Sequence, residues 1–336
     1  MLTPNLKKLT KKLCNKLHFG SLISSVRITG GKNNQIYLLT DDQNQQVIFK
    51  HYYHNHNDTR DRLGAEWRFI NTVWDAGIRC VPQPLLAEPL YHCAVYGIVK
   101  GRKLHHDELT SDHIKQAAEF ISSINKKGVI TANYPAASEA CFSIAQHYET
   151  IARRVTYLQN IDTTVPLADE AKRFVFDKLY PKWLIIKKIL KKQEKSMGAT
   201  NIGIGFLSPS DYGFHNTLIN VEGRLVFLDF EYSGRDDLAK LVNDWMACPE
   251  IPVPPYGRAV MTDHLCLRLP MDDQFQLRSS ILAKAYQIKW ICIILNDFLT
   301  TGAVRRDFSL GEERMARNKM QLEKAKLKLA TLDDNN

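Results

Sequence analysis

The sequence predicts an α+β protein of two lobes, a small β-rich one followed by a larger, mainly helical one. Three observations carry this expectation. Strand-like alternation broken by turn formers fills residues 21–98, helical periodicity takes over after Thr110, and 336 residues with 44% hydrophobic content can bury a sizeable core. The small lobe is expected at residues 21–98 and the large lobe at residues 99–336, behind an N-terminal extension of residues 1–20.

The extension, MLTPNLKKLTKKLCNKL, carries lysines every few residues where an export signal needs an unbroken apolar stretch, so it is not one. Leu2, Leu6, Leu9 and Leu13 recur at steps of four, three and four. That spacing predicts a basic amphipathic helix packed on the small lobe, with peripheral contact of residues 1–17 with an anionic membrane as the alternative. Stable membrane insertion is excluded, because the longest apolar run elsewhere, residues 291–295, falls far short of the ~20 residues a spanning helix needs. The seven cysteines include no CxxC pair and are odd in number, which argues against a disulfide framework and for a reducing, cytoplasmic compartment. A net charge of +9 suits anionic ligands, and by itself does not choose between nucleotide, nucleic acid and acidic membrane.

In the small lobe VRITG, NQIYLLT and QVIFKHYY, separated by GGKNN and DDQNQQ, read as a hairpin continued into a third strand. Next, DTRDRLGAEWRFINTVWDAG places Leu63, Ile70, Val73 and Trp74 on one helical stripe, with Asp58 or Thr59 as cap and Gly77 as stop. After Pro82 and Pro84, YHCAVYGIVKG reads as an apolar strand leading into the large lobe. There SDHIKQAAEFISSINKKG gathers Ile114, Ala117, Ala118, Ile121 and Ile124 on one face. Helical patterns continue around 142–158, 170–180 and 182–193, the last two divided by Pro181. TLIN and RLVFLDF, joined by VEG, form a hairpin in the midst of these helices.

The stretch SPSDYGFHNTLINVEGRLVFLDFEYSG holds the most chemistry. It offers Asp211, Asn216 five residues later, and Asp229 after the hairpin. Phosphoryl transfer needs a carboxylate to orient an acceptor hydroxyl and take its proton, and an amide oxygen with a second carboxylate to hold magnesium against nucleotide phosphates. Lys50 closes the strand VIFK sixteen residues before Glu66, which shares the stripe of Leu63, Ile70 and Val73. A carboxylate facing a packed surface requires a partner to offset its desolvation, and Lys50 is the candidate. The turn TGGKNNQIY could cover phosphates with Gly30, Gly31 and the backbone amides near Asn33 and Asn34.

In the order and spacing of these residues the chain resembles the aminoglycoside phosphotransferase and choline kinase family, over residues 27–245. Asp211 and Asn216 match its HxDxxxxN loop and Asp229 its Asp-Phe motif, and DFEYSG is especially similar to choline and ethanolamine kinases. The resemblance implies a bilobal, protein-kinase-like fold binding ATP or GTP with Mg2+ in a cleft near Ile98, and an acceptor that is a small hydroxyl-bearing molecule such as a sugar, amino sugar or amino alcohol. It implies Asp211 as catalytic base, Asn216 and Asp229 as metal ligands, Glu231 as a supporting or second-metal carboxylate, and a Lys50–Glu66 pair against the phosphates. Two departures stand out. The histidine two residues before the base is Pro209, and the aspartate twelve residues after the Asp-Phe aspartate is Leu241, while Asp237 matches the earlier one. In the family those groups brace the catalytic loop, so Ser208, Ser210 and Asp236 become the candidate braces. An inactive kinase-fold module that binds nucleotide or a partner is the competing reading.

The remaining candidates have simpler explanations. HYYHNH lacks the framework of a metal site. His215 reads as a loop-packing imidazole, and Trp245, Tyr286 and Trp290 as core rather than as a cationic cage. The basic helices KWLIIKKILKKQEK and MARNKMQLEKAKLKL lack interleaved aromatics or a nucleic-acid module and read as solvated faces, so no nucleic-acid partner is expected.

Overall fold

The computed structural model describes residues 9–10, 13, 16–28, 34–55, 58–126, 133–197, 202–300 and 314–334. The chain divides into two compact units. The described part of the first lies in Met1–Leu104 and Asn216–Ser233, and that of the second in His105–His215, Gly234–Val304 and Glu312–Asn336. The hairpin that the sequence sets among the large lobe's helices therefore clusters with the first unit.

Five antiparallel strands form the first unit's main sheet: β1 (Leu22–Ile28), β2 (Gln35–Asp41), β3 (Gln46–His51), β4 (Pro84–Glu88) and β5 (Cys93–Gly97), in the order β1-β2-β3-β5-β4. Because side chains alternate along a strand, one face buries Tyr37, Leu39, Val47, Phe49, Cys93 and Val95 together with Leu9 and Leu13 of the extension. The described part of the extension thus packs on its own lobe, while residues 1–8, 11–12 and 14–15 lie outside the described set. Lys50, one residue past Phe49, takes the opposite side of β3, in register with Ile36 and Ala94. Helix α1 (Arg62–Asp75) packs on β4 and β5 and buries Leu63, Glu66, Phe69, Ile70 and Val73. Its cap is Asp61 rather than Asp58 or Thr59, since the Asp61 carboxylate accepts from Gly64 N at 2.9 Å while Asp58 is taken by Arg60 and Arg62. A second sheet, β6-β8-β9, joins β6 (Arg102–Lys103) to the hairpin β8 (Thr217–Ile219) and β9 (Leu225–Phe227).

Most of the second unit is helical: α2 (Ser111–Ile124), α3 (Ile144–Tyr157), α4 (Ala168–Phe174), α5 (Tyr180–Met197), α6 (Leu238–Ala247), α7 (Gly257–Arg268), α8 (Phe275–Ile281), α9 (Ala283–Ile294) and α10 (Arg314–Asp334). One short antiparallel pair interrupts them, β7 (Phe206–Ser208) with β10 (Gly234–Asp236). Pro181 does not divide the helical stretch. A π-helical turn, Val175–Leu179, connects α4 to α5, and Pro181 occupies the first turn of α5, where a missing N–H costs least. Among the described residues no helix is long and apolar enough to cross a membrane, and the six described cysteines are free thiols.

Candidate active site

In the first unit β3 and α1 bring a cation and a carboxylate together under the sheet. Lys50 Nζ donates to Glu66 Oε2 at 2.6 Å and to Asp229 Oδ1 at 2.7 Å, and lies 5.0 Å from the centre of the Tyr52 ring. Asp229 follows β9 with φ of +66°, a left-handed conformation that aspartate tolerates better than most residues. The segment after it is clamped onto α1 at three points. Phe230 stacks on Phe69 with ring centres 4.4 Å apart, the Arg62 guanidinium stands 3.7 Å from Glu231, and Ser233 Oγ donates to the Ala65 carbonyl at 3.1 Å. Glu231 also accepts from Asn34 Nδ2 at 2.7 Å, and Asn34 Oδ1 accepts from Tyr53 N. This ties the end of the GGKNN turn to the Asp229 segment. The adjoining Gly30, Gly31 and Asn33 lie outside the described residues, and Ile98, just past β5, is exposed.

Three carboxylates share this small volume with the Lys50 ammonium and, beside Glu231, the Arg62 guanidinium, so negative charge is in excess. Burial pushes the Glu66 and Glu231 carboxyls above the usual range, with Lys50 only partly offsetting it. Burial acts against the Lys50 charge as well, but Asp229, Glu66 and Glu231 outweigh it and hold the ammonium well above its ordinary pKa. Side-chain exposure then separates the acids: 34% for Asp229 against 4% for Glu66 and 0% for Glu231. Asp229 is the carboxylate that can meet a ligand. Asn216 is half-buried ahead of β8, and its carbonyl accepts from Leu228 N at 2.9 Å, which links it to the chain one residue before Asp229.

Asp211 belongs to the second unit, in the turn that leaves β7. Its carboxylate is one-third exposed, with His215 Nε2 at 3.8 Å, and His215 Nδ1 in turn stands 3.5 Å from Cys248 Sγ. The turn is held from behind. Ser210 has φ of +68° and its N–H donates to Ser208 Oγ at 3.1 Å, while Lys240 Nζ reaches Ser210 Oγ at 3.4 Å and Asp236 Oδ2 at 2.6 Å. Lys240 and Asp236 are almost fully buried. Past the turn, Tyr212 donates to the Ala117 carbonyl at 2.9 Å and Phe214 packs on Trp245. Lys240 is the group that sequence reasoning missed. It lies in the first turn of α6, four residues after Asp236, which ends β10, so no single helical or strand period along the chain pairs the two or shows that they are sealed together.

Asp237 caps α6, accepting from Ala239 N, and is further held by Arg278 Nε at 2.7 Å and His147 Nε2 at 3.1 Å. Leu241, where the resemblance expects an aspartate, is simply part of the apolar core. Trp245, Tyr286 and Trp290 are buried as expected, with the Trp290 indole donating to Asp244 and the Tyr286 hydroxyl 2.6 Å from His147 Nδ1. His54 stacks on His92, and among the described residues no cluster of His, Cys, Asp and Glu has the makings of a metal centre formed by protein groups alone.

Solved structures similar to this chain include small-molecule kinases. Choline kinase LicA from Streptococcus pneumoniae aligns over 97% of this chain and 99% of its own, with a TM-score of 0.59 and 17% identity. An ethanolamine kinase from Plasmodium vivax covers 95% and 88% with a TM-score of 0.60 and 13% identity. The spectinomycin phosphotransferase APH(9)-Ia, solved with ADP and spectinomycin, covers 96% and 98% with a TM-score of 0.61 and 14% identity. No family model matches the sequence, and no curated protein does. At these identities what the chain shares with those enzymes is the fold, a kinase-like arrangement of a β-sheet lobe and a helical lobe, as the sequence predicts.

Proposed function

We propose that this protein is a phosphotransferase that moves the terminal phosphoryl group of ATP or GTP to a hydroxyl of a small molecule such as a sugar, amino sugar or amino alcohol. The observation that carries the reading is the buried Lys50 ammonium gripped by Glu66 and Asp229, partners 16 and 179 residues away in sequence. An ammonium so held is oriented rather than free to swing, which is what a phosphate-binding lysine needs.

Chemically the residues suit magnesium. The cluster has more carboxylate than cation, its exposed member is a hard oxygen donor, and Asn216, whose backbone carbonyl accepts from Leu228 N next to Asp229, adds a side-chain amide oxygen. Asp229 and Asn216 would hold the ion. Glu231, buried and bonded to Asn34, is better suited to fixing the Asp229 segment than to direct ligation. When bound, the ion would supply charge neutralisation at the phosphate oxygens. Asp211, accessible to solvent and held from behind through Ser210, would orient the acceptor hydroxyl and accept its proton. The reducing compartment expected from the cysteines fits the free thiols and a nucleotide substrate.

Pro209 favours a second reading, a nucleotide-binding module without turnover, because it removes the histidine that the resemblance places before the base. The Lys240 support argues for the enzyme. Thermal stabilisation by ATP or GTP should require magnesium and fall in Asp229→Ala, and labelled phosphate should pass from nucleotide to a component of a metabolite pool. Stabilisation indifferent to chelation would end the metal assignment, and binding without transfer across a broad pool would establish the module instead.

A further inference from the structure

Helix α5 (Tyr180–Met197) presents a surface that phosphoryl transfer does not use. Trp183, Ile186 and Leu190, spaced by three and four, turn into the protein and provide the helix with its packed side. On the other side Leu184, Ile185 and Ile189 remain 47%, 58% and 50% exposed. At 100° per residue Lys188, Lys192 and Lys195 project between Leu184 and Ile185, and all three are exposed. Among the described residues none of them is paired with a carboxylate. The helix's one acid, Glu194, is turned aside and accepts from Tyr148 on α3 at 3.1 Å.

Exposed isoleucines set among unpaired lysines restrict what could cover this face. A second copy of the chain would oppose lysine to lysine across a two-fold axis. Nucleic acid would engage the ammonium groups and leave the aliphatic side chains in water. An anionic bilayer uses both, because aliphatic groups enter the headgroup region while lysine stems lie along it and lift their charges to the lipid phosphates. We infer that this side of α5 docks peripherally on anionic membrane surfaces. The extension is the poorer candidate for such contact, since Leu9 and Leu13 are buried in the protein's own core.

Co-sedimentation of the full chain with lipid vesicles tests this without reference to phosphotransfer. The protein should bind phosphatidylcholine vesicles containing phosphatidylglycerol, bind pure phosphatidylcholine at least ~10-fold more weakly, and lose affinity as salt is raised. Ile185→Gln with Ile189→Gln, and separately Lys188→Glu with Lys192→Glu, should each weaken binding about tenfold or more with an unchanged melting temperature, as expected of exposed positions. Equal binding to the two vesicle types, or variants that bind as well as the parent, would overturn the assignment. So would dimerisation in the analytical ultracentrifuge that the isoleucine variant abolishes, or an RNA oligonucleotide that binds with parental affinity to the isoleucine variant and competes with vesicles.

Discussion

The two units each bury a lysine between carboxylates, and the two clusters differ in how far water reaches them. Around Lys50, one of the carboxylates, Asp229, is left a third exposed, and two buried neighbours are pushed up in pKa by burial and mutual repulsion. Around Lys240 everything is closed: Asp236 takes the ammonium at 2.6 Å and Cys141 N at 2.8 Å, and both charges are out of water. A cluster with surplus negative charge and an open oxygen is poised to accept a cation with its anionic ligand. One whose charges are paired internally can only hold the backbone in place. Pairing alone is therefore a poor guide to function, and access to solvent decides it.

The closed cluster should be the more fragile. Lys240→Met strands the Asp236 carboxylate and should cost about 3–5 kcal/mol in denaturant unfolding. Lys240→Met with Asp236→Asn, which removes the stranded charge but keeps an acceptor for Cys141 N and Asp237 N, should recover much of that stability, yet leave Ser210 without its donor and turnover low. Turnover that returns with stability would reduce the Lys240 support to a purely structural role. At Asp211 the comparison reverses, with chemistry lost and stability kept: Asp211→Asn should lower transfer roughly 100-fold or more while nucleotide affinity, read by calorimetry, stays near parental. Asp229→Ala should weaken magnesium-nucleotide binding by about tenfold or more with little change in melting temperature of the free protein, since it removes a repulsive charge from Glu231 along with a partner of Lys50.

The gentlest effect concerns His147, fully buried in the closed unit between Asp237 and Tyr286. Burial opposes its charge, but Cys141 and the Asp237 carboxylate outweigh that and push its pKa up to about 9. A raised folded pKa means that its contribution is fully present below the ordinary value of about 6.5 and is lost as pH rises through about 9, at no more than ~1.4 kcal/mol per pH unit. Melting temperatures of the parent and of His147→Gln should therefore converge as pH climbs through that window. Curves that stay parallel would mean His147 is neutral in the folded protein.

Much of the Lys50 cluster was legible in the chain. The strand-like run VIFK ended on Lys50, and the stripe of α1 placed Glu66, sixteen residues on, where a buried carboxylate needs a cation. What misled was local. Asp58 reads as a cap but is drawn off by Arg60 and Arg62, and Pro181 reads as a break but sits where a first helical turn tolerates it. The aromatic contact of Phe230 with Phe69 and the Asn34–Glu231 bond join residues far apart in sequence, and no local pattern announces either.

Period, punctuation and spacing were enough to determine the two-part architecture, the strand and helix that carry Lys50 and Glu66, and the loop and hairpin that carry Asp211, Asn216 and Asp229. These are properties of short windows, where backbone sterics and amphipathic burial act residue by residue. Which carboxylate stays open, which lysine is sealed behind the Asp211 turn, and which side of α5 is left in water were decided only by the tertiary structure. Desolvation is the reason: it depends on every segment packed around a group, and the chain does not specify those neighbours until it has folded.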